Sequence, residues 1–195
     1  MEFNRIVKQF PKGLLNGELM LTVPVLTKGR FDQKIYDVMI DISKKFETKH
    51  FNSICSNYKK SRYFEFLVVE LEEIFNSEIN KLADLNIRLI EWLTSKMGIN
   101  TKFVFSSQLD TKGSKTELLA NICKKINADH YLSPAGSKEY IEENNIFSKS
   151  GIQLSYQDYQ HPTYNQLYGD FIPYMSVIDL LFNEGKKSLE LIKSG

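Results

Sequence analysis

Cysteine and histidine are scarce in this sequence, and no long apolar run is present. The 195 residues include two cysteines and three histidines. Cys55 and Cys123 lie far apart, with no Cys or His at metal-binding spacing. This excludes a disulfide framework, argues against a zinc site and points to no particular cofactor. With no apolar run of membrane-spanning length and no signal-peptide pattern at the start, the sequence predicts a cytoplasmic protein without a membrane span.

An excess of charge of one sign is also missing. Lys and Arg total 25 and Asp and Glu total 24, which gives a formal charge of +1. The basic residues are spread along the chain, whereas a nucleic-acid-binding protein usually concentrates them on one face. The sequence therefore predicts no nucleic-acid partner and favours a small-molecule substrate. It has no linker rich in Gly, Pro or Ser, and its length predicts one domain over residues 1–195.

The order of predicted elements favours an α/β fold with a mainly parallel sheet flanked by helices. An antiparallel arm closed at 15–18 and a strand at 35–42 precede a helical insertion at about 46–97, whose second helix ends at Gly98. Strands and helices then alternate, which is typical of βαβ units. The predicted strands lie at 18–26, 35–42, 101–105, 131–132 and 152–156, and the later helices at 115–126, 137–144, 176–182 and 186–192.

Two loops of small residues follow apolar runs and precede helices in the segment 101–140. They are Ser106-Ser107 and 133–137, and the carboxyl ends of parallel strands are where α/β proteins place ligands. The alternative is an ordinary turn in which serine caps the next helix.

Ser114 and Glu117 have capping-box spacing, and the sequence around Lys115 matches a phosphate-binding loop poorly. A well-capped surface helix is the preferred interpretation, with anion binding at its N-terminus left open.

Four further features suggest chemistry, and each has a plainer interpretation. His50 suits a general base, although a buried histidine bonded to a carbonyl is commoner. The basic and aromatic run 58–63 suits a phosphate or a stacked base, or simply a solvated helix end. The tyrosines of 156–174 suit a sugar or nucleobase pocket, or the core. Asp179, set in an apolar helix with Ser176 as N-cap, needs a partner such as Arg, Lys or a helix N-terminus.

In order along the chain, a set of short motifs resembles the WbqC-like family, which occurs typically with bacterial surface-polysaccharide genes. The motifs are Thr22-Val23-Pro24-Val25, Lys49-His50, Tyr58 with Tyr63-Phe64, Gly98 with Ser106-Ser107, Tyr131-Leu132-Ser133 with Gly136 and Tyr140, Gly151-Ile152, Tyr164-Asn165-Gln166, and 176–183 with Gly185. The resemblance covers nearly the whole chain. Members usually begin with a strand and a proline-containing segment before an Asn-Arg pair. Asn4-Arg5 matches that pair, so we expect this chain to lack the family's first strands.

The resemblance implies a role in O-antigen or capsule biosynthesis, on an activated amino sugar or glycan precursor, with transfer of an acyl or aminoacyl group. The donor or sugar nucleotide would then contact Ser106, Ser107, Ser133 and Gly136. His50 would serve as base with Asp179 as the second catalytic residue. The other predicted ligand-binding residues are Arg5 and Lys59 for phosphate, Tyr164 and Gln166 for sugar hydroxyls, and Tyr58, Lys115 and Tyr140.

Two other functions stay open at this point. One is a non-catalytic sugar-nucleotide-binding or assembly component, which the lack of a recognised catalytic triad favours. The other is a nucleotidyltransferase-like enzyme, because a strand followed by a small-residue turn can hold a triphosphate. The strand edge left by the missing segment predicts a homodimer, or aggregation, through edge pairing.

Overall fold

A computed structural model of the chain describes residues 5–8, 17–142 and 145–195, with the backbone alone described at 5–8 and at Glu142. The chain divides into two compact units. The larger unit contains the residues up to 100 together with 161–195, and the smaller unit is Thr101–Gln160. The architecture is α/β, with a small parallel sheet flanked by helices, as predicted. The single domain over 1–195 stays a prediction.

The larger unit combines an antiparallel strand pair with helices. β1 (Arg5–Lys8) pairs with β2 (Gly17–Met20), so that Arg5 lies opposite Met20. The helices α1 (Phe46–Tyr58), α2 (Phe64–Asn76) and α3 (Leu82–Met97) confirm the predicted helical insertion. At the carboxyl end of the chain, α7 (Val177–Glu184) leads through a 3₁₀ turn at 185–187 into α8 (Ser188–Lys193).

The periodicity of apolar residues explains why α2 and α3 pack into this core. Leu67, Leu71 and Phe75 of α2 recur every four residues on one face, and all three are buried. Fully burying such a side chain contributes about 2 kcal/mol. Leu89 and Leu93 form a corresponding buried stripe on α3. The helix α3 ends at Gly98 in a left-handed conformation, as the sequence predicts for a C-terminal glycine.

The predicted strand at 35–42 is wrong. Residues Ile35–Asp37 form a 3₁₀ turn, and Met39 and Ile40 make only isolated bridges to Lys81 and Val25. The alternating pattern needs a buried face, yet Ile35 is largely exposed. The predicted strand at 18–26 ends early, at Met20, and beyond it Val25 makes an isolated bridge, to Ile40. The predicted turn at residues 15 and 16 lies outside the described residues.

The smaller unit contains the parallel sheet. β3 (His130–Pro134) pairs in parallel with β4 (Gln153–Gln157), with His130 opposite Gln153. Between them lie α5 (Lys138–Glu142) and α6 (Ile146–Lys149), which confirms a βαβ connection. The helix α4 (Lys115–Lys125) precedes β3 and contributes Ala120 and Cys123 to a core shared with Phe147 and Ile152.

Two expectations for the smaller unit fail. The predicted strand at 101–105 forms no ladder with the described residues, and Phe103 and Val104 are exposed. A short apolar run becomes a strand only where a neighbouring strand can pair with it. The helix α4 begins at Lys115 as predicted, but the Ser114 side chain makes no capping hydrogen bond. Lys115 has a φ of 49°, which departs from the helical backbone that a capping box requires.

Candidate functional site

The carboxylate of Asp179 is the most deeply buried charged group among the described residues of the larger unit. It lies in the first turn of α7, where Ser176 caps the helix by accepting a hydrogen bond of 3.3 Å from the Ile178 N–H. The side chain is only 1% exposed. The positive end of the α7 dipole favours a carboxylate at this position. The predicted N-cap and the predicted helix start are both confirmed.

Hydroxyl and amide groups donate to this carboxylate. The Tyr164 hydroxyl donates to Oδ2 over 2.7 Å and the Gln166 amide over 3.0 Å. Tyr58 from α1 also forms a side-chain hydrogen bond to it, and Asn183 donates to Oδ1 over 3.4 Å. Burial raises the pKa of Asp179, and the hydrogen bonds from Tyr164, Tyr58 and Gln166 oppose that rise. The partner that the sequence requires for Asp179 is thus a set of neutral donors.

Gln166 also closes the segment that carries Tyr164. Its side-chain oxygen accepts from the Ile172 N–H over 2.8 Å, and its amide donates to the Ile172 carbonyl over 2.9 Å. We call residues 161–174 the aromatic loop. His161 packs edge-on against Tyr174 with ring centroids 4.8 Å apart, and Tyr174 is exposed with a φ of 60°. A positive φ is uncommon for a residue with a Cβ.

A cavity of about 530 Å³ lies beside the aromatic loop, and we call it the polar cleft. It combines carboxylates, an ammonium group, hydroxyls, an amide and one aromatic ring. Such a set can donate to and accept from the many hydroxyls of a sugar. The lining residues are Thr163, Tyr164, Asn165, Glu184, Lys187, Glu190, Leu191 and Ser194. The Asn165 N–H donates to the Glu184 carboxylate over 3.4 Å, which links the aromatic loop to the end of α7.

The larger unit brings several predicted site residues together. Tyr58, Tyr164 and Gln166 all bond to Asp179, so these four predicted residues form one network. Lys59 follows Tyr58 directly and is exposed. The side chain of Arg5 lies outside the described residues. The hydrogen bonds show how the structure holds these four residues together. Their roles in catalysis or ligand binding stay predictions.

His50 lies elsewhere in the larger unit, against the core. Its Nε2 donates to the Thr22 carbonyl over 3.2 Å, since a carbonyl oxygen can only accept. Its ring packs edge-on against Phe46 and Phe75. Burial lowers the pKa of His50, and the hydrogen bond to Thr22 partly opposes that effect. This is the geometry of the plainer interpretation, while the catalytic role of His50 stays a prediction.

The lowered pKa of His50 makes stability depend on pH. The folded state favours the neutral ring, so the unfolded state binds more protons below the ordinary value of 6.5. We expect the free energy of unfolding to fall as the pH drops from 7 towards 5. Urea unfolding of wild type and His50→Gln should show a shallower dependence in the variant, which can still donate to Thr22 and loses about 1 kcal/mol at pH 8. Parallel pH profiles for the two proteins would contradict this role.

The remaining predicted residues lie in the smaller unit. Ser106 and Ser107 form an exposed 3₁₀ turn at 106–108, and Lys115 is exposed at the start of α4. Ser133 is buried at the end of β3, and its Oγ lies 2.6 Å from Oγ of Ser137.

The direction of the hydrogen bonds around Ser133 follows from its neighbour. The Ser137 hydroxyl donates to the Pro134 carbonyl over 2.6 Å, so the proton between the two serines belongs to Ser133. These bonds close the turn that contains Gly136. Tyr140 is exposed, and its carbonyl accepts from Thr116 over 3.5 Å. The ligand-binding roles of this set stay predictions.

Sequence reasoning missed the charged residues of the polar cleft. The sequence predicts a solvated helix face for these residues, which are Glu184, Lys187 and Glu190. Their spacing does not distinguish them from other surface charges. The available signal was their proximity to Gly185, which ends α7, and the motif around Asn165. Among the described residues no group of three or more Cys, His, Asp or Glu side chains could hold a metal ion. In the same part of the chain no helix has both the length and the apolar character to cross a membrane.

Comparisons with known proteins agree with the resemblance noted in the sequence. The model of the WbqC-like protein family matches residues 4–191. A protein of Mycobacterium tuberculosis (strain ATCC 25618 / H37Rv), described as uncharacterized protein Rv1507c, is 34% identical over 175 residues. That alignment covers 89% of this chain and 75% of the mycobacterial protein. No solved structure matches the chain.

Proposed function

The chain belongs to the WbqC-like protein family, and from this premise we propose that it binds an activated amino sugar or glycan precursor in the polar cleft. Membership of the family suggests a role in polysaccharide-related biosynthesis. The observation that supports the proposal most is the mixed lining of the cleft, held in place by the buried Asp179 network. A cavity of about 530 Å³ falls within the range of small-molecule sites.

The charges of the polar cleft fit the two ends of such a ligand. The carboxylates of Glu184 and Glu190 can each accept from a protonated amine or from sugar hydroxyls. The ammonium group of Lys187 can bind the diphosphate of a sugar nucleotide. Tyr164 also lines the cleft, although its hydroxyl already donates to Asp179. Gln166 is bonded to Ile172 and Asp179, so it orders the wall of the cleft.

Transfer of an acyl or aminoacyl group is the reaction we propose for the bound amine. The neutral nitrogen attacks the donor carbonyl, the donor's leaving group departs with the bonding electron pair, and the nitrogen gives up one proton to a base. Asp179 is buried behind Tyr164 and so acts as a positioning residue in this scheme. Glu184 and Glu190 are the carboxylates of the cleft that can accept the proton.

A non-catalytic binding component is the second candidate. The observation in its favour is that both predicted catalytic groups, His50 and Asp179, are buried and bonded to the protein interior. This candidate shares the ligand and the cleft with the first and differs only in turnover. Incubation of the protein with a sugar nucleotide and an acyl or aminoacyl donor, followed by mass spectrometry, separates the two.

A thermal-shift screen tests the proposal. A ligand that binds only the folded protein raises the melting temperature as its concentration exceeds Kd. We expect at least one amino-sugar nucleotide among UDP-, dTDP- and GDP-sugars to stabilise the wild type, and the shift to fall by more than half in Glu184→Gln. The control is Glu73→Gln, since Glu73 is an exposed glutamate of α2 outside the cleft. An equal response in both variants, or none in wild type, would count against the cleft.

A further inference from the structure

A second cavity of the larger unit shares no lining residue with the polar cleft. It has a volume of about 410 Å³, and we call it the apolar groove. Its lining is mostly hydrocarbon and aromatic, with two ammonium groups. The lining residues are Tyr63, Phe66, Leu67, Lys96, Leu181, Gly185 and Lys186. The 185–187 turn contributes to both cavities, because Lys186 lines the groove whereas Lys187 lines the cleft.

Three lining residues of the groove belong to, or pack against, the core of the larger unit. Leu67 and Leu181 are buried. The ring of Tyr63 stands directly against Gly185, where an added Cβ would lie 2.6 Å from the ring. The Tyr63 N–H donates to the Phe182 carbonyl over 2.9 Å, so this wall is tied to α7. Phe66 is 76% exposed, although a phenyl ring gains free energy when it is covered.

Lys96 and Lys186 place two ammonium groups at this hydrocarbon surface. The groove meets the first turn of α2, which also carries the acidic side chain of Glu65. The Arg62 guanidinium lies 5.4 Å from the centroid of the Tyr63 ring. Lys96 is paired with Glu70, so its charge is partly neutralised. Lys186 is exposed at the groove and supplies the ammonium group for an incoming anion.

We propose that the apolar groove binds an amphiphilic anion, namely a hydrocarbon chain that ends in a carboxylate or phosphate. The chain would cover Phe66 and lie on Leu67 and Leu181, and the head group would contact Lys186. A neutral hydrocarbon would form no ion pair with Lys186, and a purely polar anion would leave the Phe66 ring exposed. The proposal stands apart from the sugar-binding proposal, because it concerns other residues and another class of ligand.

Calorimetric titration of the full chain with octyl phosphate and with octanoate, below their micellar concentrations, tests the proposal. Saturable binding of either anion supports the proposal, and the tighter of the two identifies the head group. We expect Lys186→Ala to weaken binding about tenfold, as for a lost charged hydrogen bond. Phe66→Ser should weaken it at least about fivefold through lost apolar contact. Both side chains are exposed, so both variants should fold.

The matched control is Val69→Ser, one turn further along α2. Val69 is 59% exposed and does not line the groove, so this change should leave octyl phosphate binding as in wild type. Equal weakening by Val69→Ser and Phe66→Ser would overturn the proposal, as would equal binding of neutral octyl glucoside. It would also fail if neither anion bound, or if sedimentation showed a dimer that Phe66→Ser abolishes, because a second copy would then cover the groove.

Discussion

Asp179→Ala should lower the free energy of unfolding by about 3 kcal/mol. The substitution leaves an empty space beside the Tyr164 hydroxyl and the Gln166 amide. Tyr164 loses this acceptor, and the Gln166 amide loses one of its two acceptors and keeps the Ile172 carbonyl. Because these donors attach the aromatic loop to α7, the loop should loosen as well. Urea unfolding at neutral pH measures the first effect, and hydrogen exchange at Ile172 measures the second.

Asp84→Ala is the matched control for Asp179→Ala. Asp84 also lies in the first turn of a helix, α3, but it is exposed. Its removal should cost less than about 1 kcal/mol, since only the dipole interaction is lost. Similar losses in both variants would contradict the network.

The pH dependence of Asp179→Ala gives a further check. Because burial raises the pKa of Asp179, the carboxyl group stabilises the fold more at pH values below its ordinary 3.8. This contribution is lost as the pH rises through the raised pKa. The difference between wild type and variant should therefore grow on acidification, which is the opposite of the trend for His50. A difference that shrinks on acidification would contradict the raised pKa.

Gly185→Ala should be at least as damaging, with a loss of about 3 kcal/mol or more. Gly185 has a φ of 56° and a ψ of −124°, a conformation that residues with a Cβ rarely adopt. The new methyl would also overlap the Tyr63 ring. Chemical denaturation of the variant measures the loss.

Gly98→Ala separates backbone strain from overlap. Gly98 also has a positive φ, of 72°, but a Cβ added there would have no heavy atom within 4 Å. Its substitution should cost about 1 kcal/mol, the backbone strain alone. Adding Tyr63→Ala to Gly185→Ala should recover part of the loss, so that the two changes are non-additive. Strict additivity would contradict a direct overlap between Tyr63 and Gly185.

Local sequence signals predicted the elements that local chemistry controls. The apolar stripe of α2, the left-handed Gly98 and the Ser176 cap are each determined by residues within a turn or two, and all are confirmed. The strand at 101–105 failed because pairing depends on a distant neighbour that the run itself does not specify. A strand pattern therefore shows that a segment is able to form a strand. Whether it does depends on a pairing partner elsewhere in the chain.

The candidate site was predictable only in part, for the same reason. Burial of Asp179 in an apolar helix predicts that it has a partner. It does not say that the partners are Tyr58, Tyr164 and Gln166, which come from other parts of the chain. For Lys187 the sequence offers only its proximity to Gly185, because a lysine near a helix start is ordinary until a cavity is found beside it. The three-dimensional structure is needed to identify these partners and the lining of the cleft.

The central claim, that the polar cleft binds an activated amino sugar, is tested most directly by calorimetric titration with a matched pair of ligands. The pair is a nucleoside-diphosphate amino sugar and the same sugar with a hydroxyl in place of the amine. Tighter binding of the amino sugar is predicted, with Glu184→Gln removing that preference and Lys187→Ala weakening both ligands about tenfold. Lys28→Ala, at an exposed lysine outside the cleft, should change neither. Equal binding of the two sugars, or equal loss in Lys28→Ala and Lys187→Ala, would contradict the claim.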